Sequence, residues 1–132
     1  MNYKKLVKDG GFISQYMDYM SDIETPEAYD FWCAIWAIGA TCGRNVSVDR
    51  PHLPVHLNWY IILSADSGTT RKSTAVRSIE KITGPLLGGL TVNTKVSPER
   101  LINSLWDKTK DQDTATCIIV VPELVTLLGK VL

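Results

Sequence analysis

Lys72 and Ser73 are the residues whose types and spacing point most directly to chemistry. They follow a run of small and polar residues, Ala65-Asp66-Ser67-Gly68-Thr69-Thr70-Arg71, and precede Thr74. Small residues let backbone N–H groups close on phosphate oxygens, and a helix starting behind them adds the positive end of its dipole. A lysine at the end of such a loop reaches the β and γ phosphates, and the next hydroxyl ligates magnesium. On this reading Ser67, Gly68, Thr69, Thr70, Arg71, Lys72, Ser73 and Thr74 contact a nucleotide, with Ser73 on the metal. The spacing departs from the usual phosphate loop. Counted back from Lys72, that pattern wants glycine at positions 66 and 71, and the chain has Asp66 and Arg71. Asp66 brings negative charge towards the phosphates unless it points away. Arg71 lacks the freedom of glycine, and a left-handed conformation there would cost about 1–2 kcal/mol. It also offers the phosphates a second cation. The plainer alternative is an ordinary strand–turn–helix junction with a lysine in its first turn.

A second constellation is Cys117-Ile118-Ile119-Val120-Val121-Pro122-Glu123. In nucleotide hydrolases an apolar strand commonly ends in two carboxylates, one holding magnesium and one polarising the attacking water. Pro122 stands in the first place, so only Glu123 remains. It reads equally as a catalytic acid or as a first-turn glutamate that stabilises a helix dipole. His52 and His56 have no second histidine or cysteine at zinc-ligand spacing. Cys33, Cys42 and Cys117 lie far apart in apolar runs and read as buried free thiols of a reducing compartment.

The elements that must position these residues follow from pattern. Phe12, Ile13, Tyr16, Met17 and Met20 fall at helical spacing and make one packing face. Thr25-Pro26-Glu27 predicts a helix start, with Thr25 as cap and Pro26 in the first helical position, and Gly43 predicts its end. Asn45 to Asp49 alternates like a short strand, and the prolines of Arg50 to Pro54 impose a loop. Val55 to Ser64 reads as a strand whose centre, Trp59 to Leu63, is continuously apolar and therefore covered on both faces. A helix follows from Lys72 to Ile82, ended by Thr83-Gly84-Pro85, and Leu90 to Val92 makes a short strand. Ser97-Pro98-Glu99 starts a helix over Glu99 to Lys108 that buries Leu101, Ile102, Leu105 and Trp106. Ala115 to Val121 is the next strand and Leu124 to Leu132 the last helix. This alternation predicts a parallel sheet with crossover helices.

The 132 residues suit one ordinary domain. Fourteen basic side chains match 14 acidic ones, so no overall charge footprint for nucleic acid exists. DNA contact would need a local patch or a channel built by several subunits. The N-terminus lacks the apolar core of a secretory signal. The most apolar run, Phe31 to Gly43, is shorter than the ~20 residues of a spanning helix. A cytoplasmic protein without membrane contact is expected.

The runs TPEAYDFWCAIWAIGATCGRNVSV, HLNWYIILSADSGTTRKSTA, KVSPERLINSL and IIVVPELVTLLGK resemble phage- and prophage-encoded P-loop replication ATPases, described as helicase-like or primase-associated. The resemblance covers residues 12 to 132. It implies that Lys72, Ser73 and Thr74 bind ATP with Mg2+, and that Glu123 is the catalytic acid. Such proteins carry further strands, a sensor residue and an arginine finger beyond the point where this chain stops. A fragment or a natural truncation is therefore expected. The expected fold class is α/β: an arm over residues 1–11, a helical N-terminal region over 12–54, and an incomplete RecA- or AAA-like P-loop core with parallel strands over 55–132. A sheet cut short exposes an edge, which implies a homo-oligomer or a partner protein on that surface. The expected function is the nucleotide-binding portion of a phage-type DNA-replication ATPase. Hydrolysis would require completion by further chain or by oligomerisation. The alternative is a catalytically inactive interaction or assembly module that retains the fold.

Overall fold

A computed structural model describes residues 5, 7–66, 68, 70–87, 91–93, 98–111 and 117–121. Among the described residues four helices, α1 (Phe12–Met20), α2 (Glu27–Cys42), α3 (Lys72–Leu87) and α4 (Pro98–Thr109), carry the structure. The strands are short: β1 (Ser47–Val48), β2 (Val55–His56), β3 (Thr91–Asn93) and β4 (Ile118–Val120). By internal packing the chain divides into two compact units, Met1–Ile79 and Glu80–Leu132.

In the first unit, α1 packs on α2. Tyr16 and Met20 are the buried residues of α1, one helical turn apart, and the Phe12 and Tyr16 rings stack with centroids 6.1 Å apart. Helix α2 buries Phe31, Cys33, Ala34, Ala37 and Gly39, together with one charged residue, Asp30. Its start differs in detail from expectation. Pro26 is the extended N-cap residue, and the Thr25 hydroxyl donates to Asp30 Oδ2 (2.7 Å). Gly43 ends the helix at φ +53°, a conformation open to glycine without strain. The prolines of 50–54 turn the chain back, and β1 pairs antiparallel with β2 in the register Ser47↔His56 and Val48↔Val55.

The largest correction falls on residues 57–64. The expected buried parallel strand is absent: after His56 this segment joins neither ladder among the described residues. Tyr60 is 94% exposed and Ile62 71%, whereas Ile61 and Leu63 are half-buried, so one face is covered and the other is open. The segment is held by α2. Trp59 lies against Gly39, and the Tyr29 hydroxyl donates to the Ser64 carbonyl (2.7 Å). An extended apolar run laid along a helix carries the same composition as a strand inside a sheet, and pattern does not separate the two. The incomplete RecA- or AAA-like core with parallel strands is therefore overturned. The fold is mainly helical, and among the described residues no sheet runs into the loop at 65–71.

In the second unit, β3 and β4 form a parallel ladder of three pairs, Thr91↔Ile118 to Asn93↔Val120, with α4 between them in sequence. Helix α4 begins at Pro98, where the fixed φ of proline suits a first turn. Its expected buried face is only partly covered: Leu101 and Leu105 are half-buried, and Ile102 and Trp106 are exposed. Helix α3 also runs past its expected end at Ile82, with Pro85 inside it. Proline removes one helical hydrogen bond. The buried stripe Ala75, Ile79, Thr83 and Leu87 continues through that point at four-residue spacing. Ala115 and Thr116 of the expected strand, and the helix expected at 124–132, lie outside the described residues, as do residues 1–4 and 6 of the arm. No helix among the described residues is long and apolar enough to cross a membrane.

Candidate functional site

The junction at 65–74 is fixed at both ends. Upstream, the Tyr29 hydroxyl of α2 holds the Ser64 carbonyl. Downstream, the Arg71 carbonyl accepts from the Thr74 and Ala75 N–H groups (3.0 and 3.2 Å), which opens α3 at the residue before Lys72. The Lys72 N–H is taken up locally by the Thr70 carbonyl (2.9 Å). Gly68 turns the chain at φ +80°, where a side chain would be strained. The loop is then closed by Lys72 itself, whose ammonium donates to the Ala65 carbonyl at 2.5 Å, seven residues back and partly buried.

The two cations at the junction are disposed differently. Lys72 turns back across the loop, and Arg71 turns onto Glu24, Nη2 to Oε2 at 2.5 Å. Both members of that pair are well exposed, so it is screened and contributes little to stability. Arg71, expected to offer a second cation to phosphate, is thus engaged by the α1–α2 connection. Asp66 and Ser73 are exposed, Thr70 and Thr74 half-buried. The Thr70 hydroxyl oxygen is buried and finds no hydrogen-bond partner among the described residues. Ser67, Thr69 and Glu123 lie outside the described residues. The structure therefore brings together Gly68, Thr70, Arg71, Lys72, Ser73 and Thr74 at one helix start.

No local pattern signals the Tyr29 tether or the Glu24–Arg71 pair, because both join residues far apart in the chain. Nor does one signal a second polar cluster. Asp30 is 4% exposed, its Oδ1 unpartnered among the described residues, and so is the buried Tyr16 hydroxyl. Burial raises the Asp30 carboxyl above the ordinary aspartate range, the nearby Glu27 adds to the rise, and the Thr25 hydroxyl opposes it. Burial pushes the Tyr16 hydroxyl well up, with Cys33 and Asp30 adding to it. The Cys33 thiol, 5% exposed, is pushed up to about 12, again by burial first and Asp30 second. Cys33, Cys42 and Cys117 are all free thiols.

The raised Asp30 carboxyl has a measurable consequence. The folded state holds that proton more tightly than the unfolded chain does. Stability therefore falls as pH climbs from the ordinary aspartate value through the raised one, and stays flat above it. Asp30→Asn should abolish that fall. Its unfolding free energy relative to wild type should rise with pH across the carboxylate range in urea titrations. A difference independent of pH would show that Asp30 ionises alike in both states.

Comparison with family models, with curated proteins and with solved structures finds no match to this chain.

Proposed function

We propose that residues 65–74 bind the phosphates of ATP or ADP, as the nucleotide-binding portion of a phage-type replication ATPase. The observation that carries this reading is the Lys72 ammonium folded back onto the Ala65 carbonyl, across a loop turned by Gly68 at the start of a 16-residue helix. A neutral carbonyl is a weaker partner for an ammonium than phosphate oxygens are, so an arriving phosphate displaces it with gain. The α3 N-terminus adds its dipole from the same side. The Thr70 hydroxyl, buried and without a partner among the described residues, is a further polar group at the junction.

Nucleotide phosphates would bring Mg2+, which supplies charge neutralisation between them. The exposed Ser73 hydroxyl would be its protein ligand, with water and phosphate completing the shell. Glu123 is the proposed acid for hydrolysis, and DNA the proposed partner through a channel formed by several copies. Glu123→Gln should then spare nucleotide binding and abolish turnover; unchanged turnover would remove Glu123 from the mechanism.

Thermal unfolding with Mg-ATP tests the binding step. Ligand at 100 times its dissociation constant stabilises by about 2.7 kcal/mol, roughly 10 °C for a domain of this size. No shift at millimolar Mg-ATP would sink the nucleotide reading. The second reading, a non-catalytic assembly module, is favoured by the open face of Tyr60 and Ile62. It predicts that Tyr60→Ser with Ile62→Ser lowers the association state in sedimentation, whether or not nucleotide is present.

A further inference from the structure

One short stretch of chain holds the loop at both ends. Glu24 lies in the connection between α1 and α2, and Tyr29 in the first turn of α2. The Tyr29 hydroxyl donates to the Ser64 carbonyl (2.7 Å), where the chain enters the loop. The Glu24 carboxylate pairs with the Arg71 guanidinium (2.5 Å), where the chain leaves the loop for α3. All four residues belong to the same compact unit, Met1–Ile79.

The two attachments differ in what releases them. The Tyr29 contact joins a neutral hydroxyl to backbone. The Glu24 contact joins two charged side chains, Arg71 58% exposed and Glu24 80%, so it opens without disturbing any packing. An exposed pair of this kind is worth little and yields to a better acceptor. Phosphate is such an acceptor, because the guanidinium fork donates to two of its oxygens at once. Arg71 stands immediately before Lys72, whose ammonium is taken up by the Ala65 carbonyl. Both cations at the start of α3 are therefore held by acceptors of the chain itself.

We propose that the Glu24–Arg71 pair is an autoinhibitory latch on the loop at 65–74. Phosphate bound there draws Arg71 off Glu24, and the α1–α2 connection loses that attachment. The coupling is reciprocal. The factor by which losing Glu24 strengthens phosphate binding is the factor by which bound phosphate weakens the pair. The latch rests on the reading of residues 65–74 as a phosphate site. It adds a route by which occupancy of that site reaches the helices that precede it.

A double-mutant cycle on the full chain tests the latch, with Mg-ATP as the probe in titration calorimetry. Glu24→Gln should lower the dissociation constant about two- to fivefold, the range open to an exposed ion pair. In an Arg71→Gln background the same substitution should leave it unchanged, which separates the latch from a general effect of removing negative charge. Both side chains are exposed, so the variants keep the fold. The amide resonances of Ile23, Glu24 and Thr25 in 15N-labelled protein report the latch from its other side. Saturating Mg-ATP should move them in wild type towards their positions in ligand-free Arg71→Gln, and should leave them in place in that variant. If wild type binds no Mg-ATP, the phosphate reading fails and the latch fails with it. If wild type binds, three results overturn the latch and leave the phosphate site standing: no tightening in Glu24→Gln, equal tightening in the Arg71→Gln background, or resonances of residues 23–25 that do not move on binding.

Discussion

Lys72→Ala should abolish the stabilisation by Mg-ATP and loosen the unliganded loop as well. The two effects separate cleanly. Without ligand, the variant loses one partly buried charge-assisted hydrogen bond, from Lys72 to the Ala65 carbonyl. Such bonds contribute about 1.5–3 kcal/mol, and the lower end applies because the lysine is only half-buried. Alanine and lysine differ little in helix propensity, so α3 itself is unaffected. Lys72→Met keeps most of the stem and isolates the charge. With ligand at 100 times the wild-type dissociation constant, the ~2.7 kcal/mol of linkage should disappear in both variants. Glu24→Gln is the informative contrast. It frees Arg71 from an exposed pair at a stability cost under about 1 kcal/mol, and it should tighten nucleotide binding if Arg71 then turns to phosphate. A ligand-induced shift in Lys72→Ala equal to that of wild type would end the phosphate-loop reading, whatever happens at Arg71.

The helices were legible for local reasons. The spacing of Tyr16 and Met20, Pro26 before an acidic turn, Gly43 with its positive φ and the Lys72 helix start are all short-range signals, and each falls within a residue or two of where the structure puts it. The pattern of residues 57–64 misleads because their fate depends on α2. The Trp59 indole and the Ser64 carbonyl both find their places on a helix that ended well upstream in sequence. Helix α4 shows the same limit. Leu101, Ile102, Leu105 and Trp106 have the spacing of a buried face, yet spacing does not say how wide the covering surface is, and Ile102 and Trp106 stay exposed. At the candidate site the type and position of Lys72 and Ser73 were readable. The partner of Arg71 was not, since a glutamate in a connecting loop carries no mark of the arginine it will meet. Asp30 was invisible for a related reason: a first-turn aspartate ordinarily faces water.

Gly39 supplies the second large effect, because one missing methyl decides how the chain enters the loop. In the last turn of α2, where Gly39 sits, a glycine costs up to about 1 kcal/mol relative to alanine. A Cβ at this position would fall inside the Trp59 indole and 3.1 Å from the Leu57 carbonyl. The indole is 47% exposed and can swing outward, whereas the carbonyl belongs to the backbone and must give by a few tenths of an ångström. Gly39→Ala should therefore gain propensity and lose packing, with a net loss of about 1 kcal/mol. Gly39→Val adds a second clash without the propensity gain and should lose about 3 kcal/mol. The decisive measurement is a double-mutant cycle. In a Trp59→Ala background the ring is gone and only the Leu57 carbonyl contact remains, so Gly39→Ala should destabilise less than it does with the indole present. Since Trp59 anchors the segment that leads into Ala65, Gly39→Val should also weaken Mg-ATP binding while leaving Lys72 in place. If Gly39→Ala destabilises equally with and without the indole, Trp59 is not what the glycine accommodates, and residues 57–64 are held on α2 by the Tyr29 hydroxyl and the Leu57 backbone instead.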